Sequence, residues 1–268
     1  MQNSGKKKTK IVKKPYLTGS ITDGTTLRTA LIFCGSFLVV GILYLIVCSV
    51  MMFNNLPLRI LVNGAILAAT LLLFYSSGTS QGTIAVNQGE IMYRRKENGN
   101  EVGGEELKRC YHPWKGLATG LMGSLPLIVF ALILAVTAQR QMSSLGALPS
   151  WVSGMSSREE VTDAVSYYMI STPLGLTSIL RVLIRILLMP IVNMIGSENP
   201  EGLLLLERLS PLILLAPAAA YGFGYTRGVR VRTQVHTDIA ANKRKRSRKS
   251  RRTKAKRVIK TKQPEQLN

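Results

Sequence analysis

Acidic residues are scarce in this chain: 14 Asp and Glu stand against 35 Lys and Arg, for a formal net charge of +21. Charge of either sign is absent from long runs. None falls between Arg28 and Arg59, between Arg59 and Glu90, or between Lys115 and Arg140. Soluble domains intersperse polar side chains at helix or strand period, so blocks of this length exclude an ordinary water-soluble core and point to lipid.

Catalytic and metal-binding residue types are also thin. The two histidines stand alone, in Cys110-Tyr111-His112-Pro113-Trp114 and Gln234-Val235-His236-Thr237. Of the three cysteines, Cys34 and Cys48 are fourteen residues apart in one apolar block. On a helix that is about 21 Å, beyond disulfide reach. Cys110 sits in a polar loop, and no pair has metal-ligand spacing. There is no phosphate-loop lysine motif, no His-Glu-x-x-His and no Gly-x-Ser-x-Gly. The glycines around Gly222, Gly224 and Gly228 have the wrong spacing for a dinucleotide fingerprint. Glu105 and Glu106 lie in a solvated loop with no nucleophile or base beside them. The chain therefore reads as a non-enzyme, with no cofactor, no metal and no identifiable small-molecule substrate.

What is present is apolar sequence in five blocks. Residues 29–53 are too long for a signal-peptide core of about 7–15 residues and read as a retained anchor. Residues 60–75 follow the turn Asn54-Asn55-Leu56-Pro57, so the two blocks predict a helical hairpin over 29–77. Residues 117–138 are the third block, preceded by Tyr111 and Trp114 as an aromatic belt. Residues 174–195 and 203–226 are the fourth and fifth. Tyr221 and Tyr225 are expected at the inner interface. Between the blocks lie a polar element at 78–116 and an outer loop at 139–173. In the first, residues 83–86 and 91–93 flank Asn87-Gln88-Gly89-Glu90 as in a β-hairpin, with a short amphipathic helix as the alternative. In the second, Ser156-Ser157-Arg158-Glu159-Glu160 has the pattern of a helix start, and Trp151, Tyr167 and Tyr168 suit the opposite interface.

Charge decides the topology. Seven Lys/Arg fall in residues 1–28, six in 78–116 and sixteen in 227–268. Four spans place all 29 on one side, whereas five spans divide them almost evenly, so the positive-inside rule favours four. The block that fails to cross is expected to be 174–195. Arg181 and Arg185 in its apolar run each cost about 2.5–3.5 kcal/mol near a bilayer centre, against gains of about 0.3–0.6 kcal/mol per apolar residue. The expected fold is thus an all-α integral membrane protein with about four transmembrane helices plus one amphipathic or re-entrant helix, five spans being the alternative. It would sit in the plasma (inner) membrane with both termini cytoplasmic: a basic arm at 1–28 and a disordered basic tail at 227–268.

Three sets of residues stand out. Arg181 and Arg185 lie four apart, with Glu207 as the nearest acidic partner. They suggest an anion or lipid site or a polar groove, or, more simply, arginines snorkelling from an interfacial helix. Gly116, Gly120 and Ser124, and likewise Ala216, Ala220 and Gly224, form small-residue stripes that let helices approach closely, including those of a membrane partner subunit. The tail 243–262 carries thirteen Lys/Arg in twenty residues, with no aromatic and no acid. Lys243, Arg244, Lys245, Arg246, Arg248, Lys249, Arg251 and Arg252 are its candidate contacts to anionic headgroups of the bilayer, to RNA or a ribosome, or to an acidic partner. With no aromatic to stack on bases, any RNA binding should be sequence-tolerant and salt-sensitive.

In outline, with Arg181 or Arg185 in an apolar block and the basic run 243–262 behind it, the chain resembles membrane insertases. These combine about five helices, an intramembrane arginine and a ribosome-facing basic tail. The resemblance is one of architecture. It implies a role in transport, translocation or insertion if one of those arginines faces an enclosed hydrophilic groove.

Overall fold

The computed structural model describes residues 11–50, 53, 55–138, 175–196 and 199–260, with side chains except at Ser49 and beyond Ser247. Among them every regular element is a helix: α1 (Gly24–Val50), α2 (Leu56–Glu97), α3 (Gly104–Lys108), α4 (Lys115–Thr137), α5 (Leu176–Leu187), α6 (Met189–Ile195), α7 (Pro200–Ile213) and α8 (Leu215–Lys260). The readings made on 1–10, 139–173 and 261–268 fall outside the described residues.

Four of the helical segments are long and apolar enough to cross a membrane: α1, α2, α4 and the α7–α8 run. Their apolar surface faces outward. Leu31, Ile42, Leu61, Leu72, Leu125, Val136, Leu212 and Phe223 are all exposed. A water-soluble bundle would bury such residues, whereas lipid accepts them.

Side-chain pairs give each helix its direction. Phe33 and Phe37 pack on Phe74, and the Tyr44 hydroxyl donates to Thr70 Oγ1 at 2.8 Å, so α1 and α2 are antiparallel. Lys115 meets Asp23, and Gly123 meets the backbone of Ala30, so α4 runs with α1. Gly120 lies on Ala218, and Gly116 on Tyr225, so α8 opposes α4. Gly224 sits at Tyr75, Gly228 at Gly82 and His236 at Glu90, so α2 and α8 are parallel. The start of α1, the start of α4 and the C-terminal halves of α2 and α8 therefore gather at one end. An aromatic and aliphatic core built on Phe33, Phe74, Leu134, Leu214 and Tyr221 fills the middle.

Two expectations about the polar segments are corrected. Residues 78–97 are neither a hairpin nor a separate element but the continuation of α2, whose 42 residues reach about 63 Å at 1.5 Å each, twice a hydrocarbon core of about 30 Å. Likewise the tail is helical from Leu215 to Lys260 and not irregular from Arg227. An isolated basic run lacks anything to bury, but here it extends a helix already formed. Nucleation costs nothing further, and Lys and Arg propagate helix well. The arm is corrected in part. Residues 11–22 are extended and laid along the stem formed by the paired C-terminal halves of α2 and α8, with Val12 N donating to Thr237 Oγ1, Leu17 N to Gly89 O and Gly19 N to Tyr111 O.

The Arg-bearing segment is broken. α5 and α6 meet at Leu188 with an angle of 91° between them. Pro190 has no N–H to give the Ile186 carbonyl, so the helix cannot pass straight through. Leu187 rests on Gly41 of α1, while Asn193 Nδ2 donates to the Cys48 carbonyl and Gly196 lies beside Arg59. The two arms thus occupy the end of the bundle opposite the paired α2–α8 extension, a geometry that a broken span and a re-entrant element share.

Candidate functional site

At the first candidate site, α5 and α7 bring together the three residues picked from sequence. Arg181 Nε lies 2.8 Å from Glu207 Oε1, and Arg185 NH2 lies 2.7 Å from the same oxygen. Arg185 Nε also donates to it at 2.9 Å. The Glu207 side chain is 2% exposed, Arg181 13% and Arg185 29%. One carboxylate therefore holds two guanidinium groups, and the triad carries a net positive charge among apolar neighbours. The backbone of α7 is adapted to this place. Pro211 cannot donate to the Glu207 carbonyl, and the Ser210 hydroxyl does so instead at 2.7 Å. Chemically the triad ties the broken helix to the α7–α8 run, and only Arg185 keeps appreciable access to the outside.

The second site, missed in the sequence, joins α2 to α8. Arg232 NH2 donates to Glu90 Oε2 at 3.0 Å and to Asn87 Oδ1 at 2.5 Å. His236 Nε2 lies 2.7 Å from Glu90 Oε1. Glu90 and His236 are buried. The signal was present: Asn87 and Glu90 are three apart, Arg232 and His236 four apart, so each pair lines one helix face. It could be read only once 78–97 and 227–236 were taken as helix. Below this cluster Gly78, Gly82, Gly224 and Gly228 bring the two backbones into contact.

We expect Glu90→Gln to cost about 2–4 kcal/mol, because it leaves the Arg232 charge without its carboxylate in a largely buried cluster. The α2–α8 extension should then open. Faster limited proteolysis of residues 230–260 than in the parent checks this, and an unchanged digestion rate would count against the cluster as a clasp.

At the same end Asp23 caps α1, accepting from Thr26 N at 2.7 Å and Thr25 N at 3.1 Å, and it also accepts from Lys115 Nζ at 2.8 Å. Burial pushes its carboxyl up, but the hydrogen bonds from Lys115, Thr26 and Thr25 outweigh that and bring it to about 2. Because the folded value lies below the ordinary 3.8, the stabilisation is complete above that pH and is lost as pH falls through about 2.

The remaining candidates divide. Gly116, Gly120 and Ser124 are buried residues of α4, Gly116 and Gly120 lying against α8. Gly224 is buried against α2, while Ala216 lines a small apolar recess with Tyr44 and Leu188. Ala220 packs on the core from the side. Tyr221 and Tyr225 are buried between helices: Tyr225 stacks on Tyr111 at 5.4 Å, and Tyr221 meets Phe33 edge-on. Trp114 is strongly exposed, as is Phe223 between the two tyrosines. His112 Nδ1 accepts from Trp114 N at 3.3 Å in a local turn. Lys243, Arg244, Lys245 and Arg246 are exposed on α8, and the side chains of Arg248, Lys249, Arg251 and Arg252 lie outside the described residues.

Compared with known protein families, curated proteins and solved structures, the chain matches none.

Proposed function

We propose that this is a non-enzymatic, multi-pass protein of the plasma (inner) membrane that holds a basic helix in the cytoplasm as a docking element for RNA. The observation that carries the reading is the continuity of α8 from the apolar bundle to Lys260. Along that helix Lys243 stands about 25 Å beyond Thr226 and Lys260 about 50 Å. Charge screening acts over about 8–10 Å at physiological salt, so a helix held upright there is beyond the surface potential of the leaflet. Its partner is then a polyanion in the aqueous phase. Basic residues fall on every face of the segment, as suits a phosphate backbone met from several directions.

The orientation is argued from the same charges, since the end that gathers α8, the α2 extension and the starts of α1 and α4 holds 24 of the 28 Lys and Arg among the described residues. A translocation role would need Arg181 or Arg185 to face an enclosed polar groove. Their closure on Glu207 favours the docking reading.

Binding of a fluorescent single-stranded RNA to the reconstituted protein tests it. Changing Lys243, Arg244, Lys245 and Arg246 to Gln should lower affinity about 10- to 100-fold and flatten the salt slope by about 0.7 for each phosphate no longer neutralised. Unaltered RNA affinity, with loss only of adhesion to anionic vesicles, would move the partner from RNA to lipid.

A further inference from the structure

A second basic feature lies inside the bundle and serves no role in the stem. Between α1, α2, α4 and α8, at the end where the charged residues gather, there is a cavity of about 310 Å³. Its depth is set by Lys115, Thr119, Tyr221 and Tyr225, all buried. Its mouth is framed by the exposed Arg28 and Arg109, with Gln81 and Gln88 of α2 beside the hydroxyls of Thr25 and Thr29. No acid lines it among the described residues. Lys115 is neutralised by Asp23, but Arg28 and Arg109 form no ion pair among the described residues. Two guanidinium groups from different elements, neither in an ion pair among the described residues, therefore border a space that also holds the amides of Gln81 and Gln88, while the hydroxyls of Thr25, Thr26, Thr29 and Thr119 already donate to Asp23 or to helix carbonyls. That is the chemistry of a phosphate site.

The rim gives the direction of entry. Ile32 and Ile84 border the cavity, and both are exposed, as are Leu27 and Leu31 nearby on α1. A ligand seated here would meet cations at one end and outward-facing aliphatic side chains at the other. The level fits as well. The cavity spans the first two turns of α1 and the stretch of α2 just past its apolar run, where hydrocarbon gives way to headgroups.

We infer that this cavity binds a phosphate group at the membrane boundary, supplied by the headgroup of an anionic phospholipid of the basic leaflet. The inference rests on the membrane placement proposed above and is independent of RNA docking. The phosphate would sit between Arg28 and Arg109, the glycerol portion over Thr25 and Gln88, and the acyl chains along Ile32 and Ile84.

The test is native mass spectrometry of the full chain released from nanodiscs of mixed phosphatidylglycerol and phosphatidylcholine. Assembly into nanodiscs itself reports the membrane placement, so failure at that step is distinct from failure of the site. The parent should retain phosphatidylglycerol in preference to phosphatidylcholine. The pair Arg28→Gln and Arg109→Gln should lower that retention about tenfold or more, given roughly 1 kcal/mol for each basic residue near a membrane surface. Arg28→Lys with Arg109→Lys should keep most of it. Arg94→Gln with Lys96→Gln, which removes equal charge outside the cavity, should leave it unchanged. Both arginines are exposed, so the variants should fold, and monodisperse elution with unchanged helicity confirms that they do. Equal retention by parent and Gln pair would overturn the proposal, and so would equal loss in the Arg94/Lys96 control. A further arm adds glycerol phosphate to phosphatidylcholine-only discs. Saturable, Arg28- and Arg109-dependent binding there, without phosphatidylglycerol retention in the mixed discs, would overturn the lipid source in favour of a soluble phosphate.

Discussion

Glu207→Leu should be the most damaging single substitution in the chain, costing about 3–5 kcal/mol. The carboxylate is almost fully buried and is within 2.8 Å of Arg181 and 2.7 Å of Arg185. Without it, two guanidinium groups lose the carboxylate they share among largely apolar side chains. Arg185 retains partial access to the outside and can turn its head group there, but Arg181 has little room to do so. Arg181→Leu alone should therefore be mild, because the Glu207–Arg185 pair survives it. The informative variant is the triple change Glu207→Leu, Arg181→Leu and Arg185→Met. Replacing a buried ion cluster by apolar residues of similar size is often neutral or better, so the triple variant should recover most of the loss. Thermal unfolding in detergent, followed by the helical signal, ranks the three. If Glu207→Leu unfolds at the parent's temperature, the triad does not hold α5 to α7.

The same triad marks what could be read from sequence and what could not. Arg181, Arg185 and Glu207 were legible because ionised groups in an apolar run must find one another, and the nearest acid was the natural partner. That a straight crossing by the block carrying them is costly was legible from the same residues. The position of the break was not, although Pro190 supplies its reason. α1 and α4 were legible to within a few residues, since a charge-free block bounded by charge marks where hydrocarbon starts and stops. The far halves of α2 and α8 were not. Hydropathy reports the end of the apolar surface, and both helices continue past it on tertiary contacts: four glycines in close backbone apposition, then Glu90 with Arg232 and His236. A polar sequence of that kind reads as loop or tail when taken alone. The docked arm was hidden for a similar reason. Its hydrogen bonds go to Gly89, Tyr111 and Thr237, residues far away in sequence.

Those glycines lead to the second large effect. A Cβ at Gly224 would overlap the Tyr75 carbonyl oxygen, one at Gly78 the Tyr221 carbonyl, and one at Gly82 the Tyr225 carbonyl. The obstacle in each case is backbone, which cannot swing aside as a flexible side chain would. Gly224→Val must therefore push α2 and α8 apart along their shared length. Overpacking a tight core costs about 1–3 kcal/mol, and the upper end is expected here because two rigid helices must separate. Separation would also pull Glu90 from Arg232 and His236 further along, so this variant and Glu90→Gln should be less than additive. Spin-label distances between the ends of α2 and α8 should lengthen and broaden in Gly224→Val. Gly64→Ala, on the same α2 but with nothing within 4 Å of the added carbon, should be neutral or stabilising by up to about 1 kcal/mol, since alanine is the better helix former. If both substitutions behave alike, the glycines are incidental and the two helices do not meet through them. If they diverge as expected, the stem is built from close backbone packing, and the basic end of α8 stands upright because α2 is locked beside its root.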